Sequence, residues 1–271
     1  MLIDMILVAS VALADIDDSV LYESAYNAYE KKDCGKAIEL SEKLSNKGVS
    51  NATNQLGLMY RVGKCREKNY VLAMNYFLLA SSQGSGIAAY NIAGMYMIGE
   101  GVEVDFVKAF PYLKRAAAVS YPQAAYDMGI FYNDGLGVEK NTKTANSWFR
   151  KASSLGIGEA SFRLGQQLYF DDNKSPVTDV RRLEDAKEYL LLGIEQKNSK
   201  AAYLLAWGYL ESIYTDKQPI YGVDLLKLAA NLGDSQAAAM LADFYRDGVY
   251  VKTNKEESEK FKILSEELSE R

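Results

Sequence analysis

Small apolar positions recur along this chain at a fixed interval. The marker is an alanine: Ala52, Ala88, Ala124, Ala160, Ala201 and Ala237, at spacings of 36, 36, 36, 41 and 36. Eight residues after each stands a large residue, Tyr60, Tyr96, Tyr132, Leu168, Tyr209 and Tyr245. Twenty-one after come Ala73, Ala109, Ala145, Ala186 (allowing a five-residue insertion), Gly222 and Ser258, and seven further on Ala80, Ala116, Ala152, Gly193, Ala229 and Ser265. A small residue at the same place on each of two helices lets their backbones approach, and bulky neighbours such as Tyr76-Phe77 and Trp148-Phe149 fill the seam. The pattern predicts one helix pair per interval. Gly99-Glu100-Gly101-Val102 and Gly135-Leu136-Gly137-Val138 fall between the helices, where glycine permits the positive φ that closes a helix. They are turns and not phosphate loops, since no Gly-Lys-Ser/Thr follows.

The run from Ala124 through Tyr126-Asp127-Met128-Gly129 and Asn133-Asp134-Gly135-Leu136-Gly137-Val138 to Thr144-Ala145 and Trp148-Phe149 resembles the Sel-one-like repeat, a tetratricopeptide-like family. The resemblance covers residues 50–271 as six units. Residues 15–49, with Tyr29-Glu30-Lys31-Lys32-Asp33 leading into Lys36-Ala37, read as a shorter tetratricopeptide-like pair. The implied fold is all-α: a right-handed α/α superhelical solenoid of about seven helix pairs with a concave and a convex surface. The unit after Gly158 departs from the pattern, with its insertion around Asp171–Pro176 and Leu168 where tyrosine is expected, and its loop is a candidate contact element. Lys255–Arg271, crowded with Glu, Lys and Ser, suits a terminal cap.

Composition narrows the function. Formal net charge is −5 with no histidine in 271 residues. The basic excess of a nucleic-acid binder is missing, and so are imidazole-based triads and His-ligated zinc. Neither Gly-x-Ser-x-Gly nor Ser-x-x-Lys occurs. Asp15-Ile16-Asp17-Asp18 and Asp171-Asp172 lack the glycine and spaced oxygens of a calcium loop. No cofactor or metal is expected. Twenty tyrosines suit packing seams and protein interfaces alike.

Met5–Leu13 is an apolar run of signal-peptide length, and Ala12-Leu13-Ala14 has the form of a cleavage site. Residues 1–14 therefore read as a signal peptide, placing the chain in the periplasm or outside the cell, although Asp4 stands where a basic region is usual. The alternative is an apolar helix capping the array in a cytoplasmic protein. The run is too short to span a bilayer.

The resemblance also implies that the first helix of each pair lines the concave surface, through positions two, six and nine after the marker alanine. These are Asn54, Leu58, Arg61; Tyr90, Gly94, Met97; Tyr126, Ile130, Asn133; Phe162, Gln166, Tyr169; Tyr203, Trp207, Leu210; and Ala239, Asp243, Arg246. The partner-contact candidates are all of these except Leu58, Gly94, Ile130, Tyr169, Leu210, Ala239 and Asp243. Aromatic rings rimmed by Asn, Gln and Arg have the chemistry of an interface. The alternative is that Tyr90, Tyr126, Phe162 and Tyr203 pack within the array. Cys65 stands where the next two units have Gly101 and Gly137, and Cys34 lies in the preceding turn; stacked turns would pair them in an exported protein, with two unpaired thiols as the alternative.

The expected function is a non-catalytic binding protein of the bacterial envelope that holds another protein or peptide on its concave face. It would serve as adaptor or inhibitor, an immunity protein against a secreted antibacterial toxin being one form. The alternatives are a β-lactam-binding or cell-wall-active enzyme and a structural spacer.

Overall fold

The computed structural model describes residues 18–171, 173–214 and 218–270; the segment read as a signal peptide lies outside them. Among the described residues fourteen helices follow one another: α1 (18–30), α2 (Cys34–Asn46), α3 (Ser50–Val62), α4 (Tyr70–Ser82), α5 (Gly86–Ile98), α6 (Phe106–Ala118), α7 (Pro122–Asp134), α8 (Thr142–Ser154), α9 (Gly158–Tyr169), α10 (Val180–Glu195), α11 (Ser199–Leu210), α12 (Pro219–Asn231), α13 (Ser235–Asp247) and α14 (Lys255–Ser269). Among the described residues the strand content is a single antiparallel bridge, Phe170 to Pro176. The chain divides into two compact units, residues 1–141 with α1–α7 and residues 142–271 with α8–α14.

Many of the helices begin where a polar side chain can take a free amide. Asn69, Ser85, Asp105, Asp179, Asn198 and Asp234 each accept a hydrogen bond from the backbone N–H three residues on. The repeated alanines then decide how closely the helices pack. From Ala52 and Ala73 through Ala186 and Ala237, the marker alanines and their counterparts are fully buried. Large residues close the seams beside them. Tyr60 stacks on Tyr76 at 5.6 Å, Tyr96 on Tyr112 at 6.3 Å and Tyr245 on Phe261 at 5.9 Å between ring centres. In the first unit Phe77, Ile92 and Met95 form one core cluster. In the second, a core runs from Tyr169 through Leu190, Leu205 and Leu226 to Phe261. Helix α14 buries Phe261 alone and leaves most of its Glu and Lys residues outward.

The turn inside each repeat has a second task. Gly101 and Gly137 hold φ of 71° and 65°, and a methyl group at Gly137 would fall 2.5 Å from the Phe106 carbonyl carbon. A methyl group at Gly101 would meet Tyr70 in the same way. Each turn thus presses on the first residue of the preceding second helix. Cys65 stands at this position with φ of 70°, a conformation costing a non-glycine residue about 1–2 kcal/mol. Its side chain is bonded to Cys34, the first residue of α2. The close approach made by bare backbone in two repeats is a disulfide in the first.

Candidate functional site

In the second unit, the first helices α9, α11 and α13 enclose an open groove of about 560 Å³. Phe162 and Gln166 reach it from α9, Lys200, Tyr203 and Leu204 from α11, and Ser235 and Gln236 from the start of α13. Phe170, just past the end of α9, completes the lining with Ser199, Gly233 and Asp234. Its position is held by Arg182, whose guanidinium donates to the carbonyls of Gln167 and Phe170 at 2.9 and 2.7 Å. Those oxygens belong to a helix end that has no intrahelical partners left for them.

The groove mixes aromatic surface with a few fixed charges. Lys200 lies 5.9 Å from the centre of the Phe162 ring and 3.5 Å from Glu159. Asp234 is committed as the cap of α13, accepting from the Ala237 N–H at 2.9 Å. Burial, then the nearby Asp234 carboxylate, pushes the Tyr203 hydroxyl above its ordinary value, so it stays a neutral donor. Such a surface can hold an apolar side chain and hydrogen-bond its backbone. Among the described residues, no group of three or more Cys, Asp or Glu side chains is placed to hold a metal.

Three of the eleven contact candidates, Phe162, Gln166 and Tyr203, line this groove. Trp207 is half-buried against the core, 6.4 Å from the Tyr169 ring. Arg246 is exposed and paired with Asp243 at 2.6 Å and Asp247 at 2.7 Å. Tyr169 and Leu210, expected on the same face, are core residues instead. The insertion explains Tyr169: the chain leaves α9 immediately, bridges Phe170 to Pro176, and seals the tyrosine with 0% exposure. Of the inserted loop itself, Val177 is buried and Asn173–Ser175 are exposed.

The first unit treats the same positions differently. Asn54 is buried, and so is not a surface residue as expected; its Oδ1 accepts from Asn91 Nδ2 at 2.9 Å. Arg61 is half-buried, its Nε donating to Glu100 and its Nη1 reaching Asn91 Oδ1 at 3.5 Å. Tyr90 packs 4.9 Å from Tyr121 and donates to Asp127 at 2.9 Å, while Gln123 donates to the other Asp127 oxygen at 3.2 Å. Burial raises the Asp127 carboxyl above the usual carboxylate range, against the opposing effect of these two hydrogen bonds. Met97, Tyr126 and Asn133 are half-buried, and Asn133 Nδ2 donates to Asp134 at 2.7 Å.

The sequence pattern missed Phe170, Lys200, Leu204 and Gln236. Lys200, Leu204 and Gln236 precede or follow the marker alanines by one to three residues, on the edges of the first helices where successive repeats meet. Their only signal was that adjacency.

A helix-pair repeat protein presenting a groove on its first helices is the class that this fold defines. Within that class the chain belongs to the Sel1 repeat family, whose pattern matches residues 21–49, 50–85, 86–120, 122–157, 199–234 and 235–261. The first pair, expected as tetratricopeptide-like, is among the matched repeats, whereas the segment bearing the insertion, 158–198, is not. No curated protein sequence matches the chain. Among solved structures it is similar to a Sel1 repeat protein from Oxalobacter formigenes, with TM-score 0.76 and 22% identity over 91% of this chain and 99% of that one. It is also similar to c5321, a protective antigen of uropathogenic Escherichia coli, with TM-score 0.74 and 24% identity over 92% of this chain. This chain spans about half of that protein, 54%. The immunity protein PA5088 from Pseudomonas aeruginosa follows, with TM-score 0.54 and 18% identity over 82% of each chain. These likenesses establish a shared fold.

Proposed function

We propose that this chain is a non-catalytic binding protein of the bacterial envelope that holds a segment of another protein in the α9–α11–α13 groove. The observation that carries the reading is the groove itself, apolar on Phe162, Phe170, Tyr203 and Leu204 and rimmed by Gln166, Lys200 and Gln236. Such a lining suits an apolar anchor with a hydrogen-bonded backbone. Residues 1–14 act as its signal peptide, and the Cys34–Cys65 bond supports an oxidising compartment. Holding a partner serves an adaptor or an inhibitor, and PA5088 carries the name of immunity protein, the inhibitory form.

The test is photocrosslinking in extracts of the source cell. A photoreactive residue at Gln166 or Gln236 is expected to yield a discrete protein adduct, while the same probe at Arg181, exposed on α10, yields none. Equal labelling from all three positions would reject the groove. Turnover of a β-lactam or of peptidoglycan by the purified chain would favour the enzymatic alternative.

A further inference from the structure

Among the second helices, α12 exposes Ile220, Tyr221 and Leu228 beside the charged Asp224 and Lys227, whereas the outward faces of α8 and α14 are polar, with Lys143, Ser147 and Arg150 on the one and Glu256 and Lys260 on the other. The outward face of α4 is not. Val71, Leu72, Leu78 and Leu79 share one helix face at the i, i+1, i+7, i+8 spacing and are 67, 37, 40 and 46% exposed. Only Asn75 and Ser82 interrupt this face, and α4 contains no charged residue at all. Exposed aliphatics grouped on one helix are unusual, because single scattered ones are the norm for a free surface.

Within its own length, the neighbouring second helix α6 carries charge of one sign. Both α4 and α6 pack against α5, and the turn at Gly101, just ahead of α6, lies against Tyr70 at the start of α4. On α6, Lys108, Lys114 and Arg115 are exposed, and the helix has no acidic residue. Lys108 is engaged by Asp105 at 3.0 Å, whereas Lys114 and Arg115 make no ion pair among the described residues. Carboxylates are absent from Lys68 to Gly99 and again from Phe106 to Tyr126, in a chain whose net charge is −5. Between these stretches the turn ahead of α6 carries Glu100, Glu103 and Asp105, with Glu100 engaged by Arg61 and Asp105 by Lys108, so the basic character beside the apolar stripe is confined to Lys114 and Arg115.

From this juxtaposition we infer that the α4–α6 face of the first unit docks on an anionic lipid surface. The aliphatic side chains of α4 enter the headgroup region, and Lys114 and Arg115 meet the lipid phosphates. A bilayer presents anionic oxygens above hydrocarbon everywhere along its plane, so both stripes are satisfied at once without a matched partner shape. A protein partner would have to bring carboxylates and apolar groups in this one layout. The contact is shallow and reversible, since four partly exposed aliphatics and two cations without an ion pair among the described residues are a small anchor. This inference is independent of the groove, which lies in the other unit.

Co-sedimentation of the full chain with vesicles tests it, using phosphatidylcholine alone or phosphatidylcholine with 30% phosphatidylglycerol as a probe composition of roughly physiological surface charge. The chain is expected to sediment with the anionic vesicles and to be released at high salt. Leu78→Glu with Leu79→Glu, and separately Lys114→Glu with Arg115→Glu, should each weaken binding about tenfold or more. Lys143→Glu with Arg150→Glu, in the other unit, should leave it unchanged. Residues 1–14 are common to every variant, so lipid binding by that segment cannot produce the difference. No binding by the parent chain, equal binding to neutral vesicles, or equal binding by all variants would overturn the inference. So would a parent chain that is dimeric by sedimentation velocity and becomes monomeric in the Leu78/Leu79 variant, because the face would then belong to a second copy. Thermal unfolding shows that each variant is folded before it is compared.

Discussion

The two units place their first-helix faces at equivalent positions of the same repeat and use them in opposite ways. In the first unit the side chains answer one another: Asn91 bonds Asn54, Arg61 reaches Asn91 and Glu100, and Tyr90 and Gln123 both donate to Asp127. In the second unit Phe162, Tyr203 and Phe170 stand around open space. Polar groups that satisfy each other across adjacent helices rigidify the contact and leave little for a ligand. Aromatic surface with only a polar rim has its free energy still to gain from burial. A repeat architecture therefore does not imply a uniform binding surface; the pairs formed between repeats decide where a partner can gain contact.

The largest expected effect breaks the first unit's rigidity. Cys34→Ser with Cys65→Ser removes a bond across 31 residues and is expected to lower stability by roughly 3 to 4 kcal/mol on a chain-entropy argument. Cys65→Gly with Cys34→Ser should recover about 1 kcal/mol of that, because glycine relieves the left-handed backbone at 65. Hydrogen exchange should show the loosening in α1–α3 and leave α9–α13 unchanged. Similar loosening in both units would mean that they do not differ in this way.

Next comes the groove. Phe162→Ala with Tyr203→Ala is expected to weaken a crosslinked partner by about 2 kcal/mol or more, roughly thirtyfold. Tyr90→Ala with Met97→Ala in the first unit should change affinity by less than about 0.5 kcal/mol. Titration calorimetry with the captured partner compares them. Equal losses from the two pairs would put binding on both faces and remove the contrast. A third effect is of similar size and concerns stability again. Asn54→Ala leaves the buried Asn91 amide without its acceptor, which should cost about 1–3 kcal/mol in denaturant unfolding.

The repeat itself was legible because burial of small residues leaves a period in the sequence: every marker alanine from Ala52 to Ala237 is in a helix seam. The groove was half legible. Phe162, Gln166 and Tyr203 follow from counting along a first helix, but Phe170 takes its place only because the insertion turns the chain back through Pro176. Asn54 could not have been judged from its position alone. Whether an asparagine there faces solvent or a partner depends on Asn91, 37 residues further on, and on nothing local. Tyr169 shows the same limit for rings, since its burial comes from Tyr214 and the inserted segment rather than from its own helix.

The smallest expected effect sharpens the comparison through pH. Asp127 is largely buried between Tyr90 and Gln123, with Tyr121 and Arg61 the other ring and charge near Tyr90, and its carboxyl titrates above the ordinary value of 3.8. Burial also pushes the Tyr90 hydroxyl up, followed by the Asp127 charge, so the phenol remains the donor throughout the accessible range. Between the unfolded and folded values of Asp127 the native chain binds more protons than the unfolded one. Stability contributed by this carboxyl is therefore present in acid and falls as pH rises through that window, by at most about 1.4 kcal/mol per pH unit. Asp127→Asn keeps an acceptor for Tyr90 and removes the titration. The difference in stability between parent and variant should move in the parent's favour as pH is lowered, and flatten above the window. Urea unfolding at several pH values from 4 to 7 measures it. A difference that stays constant across the range would mean that Asp127 is not held in the desolvated lattice that sets the first unit apart.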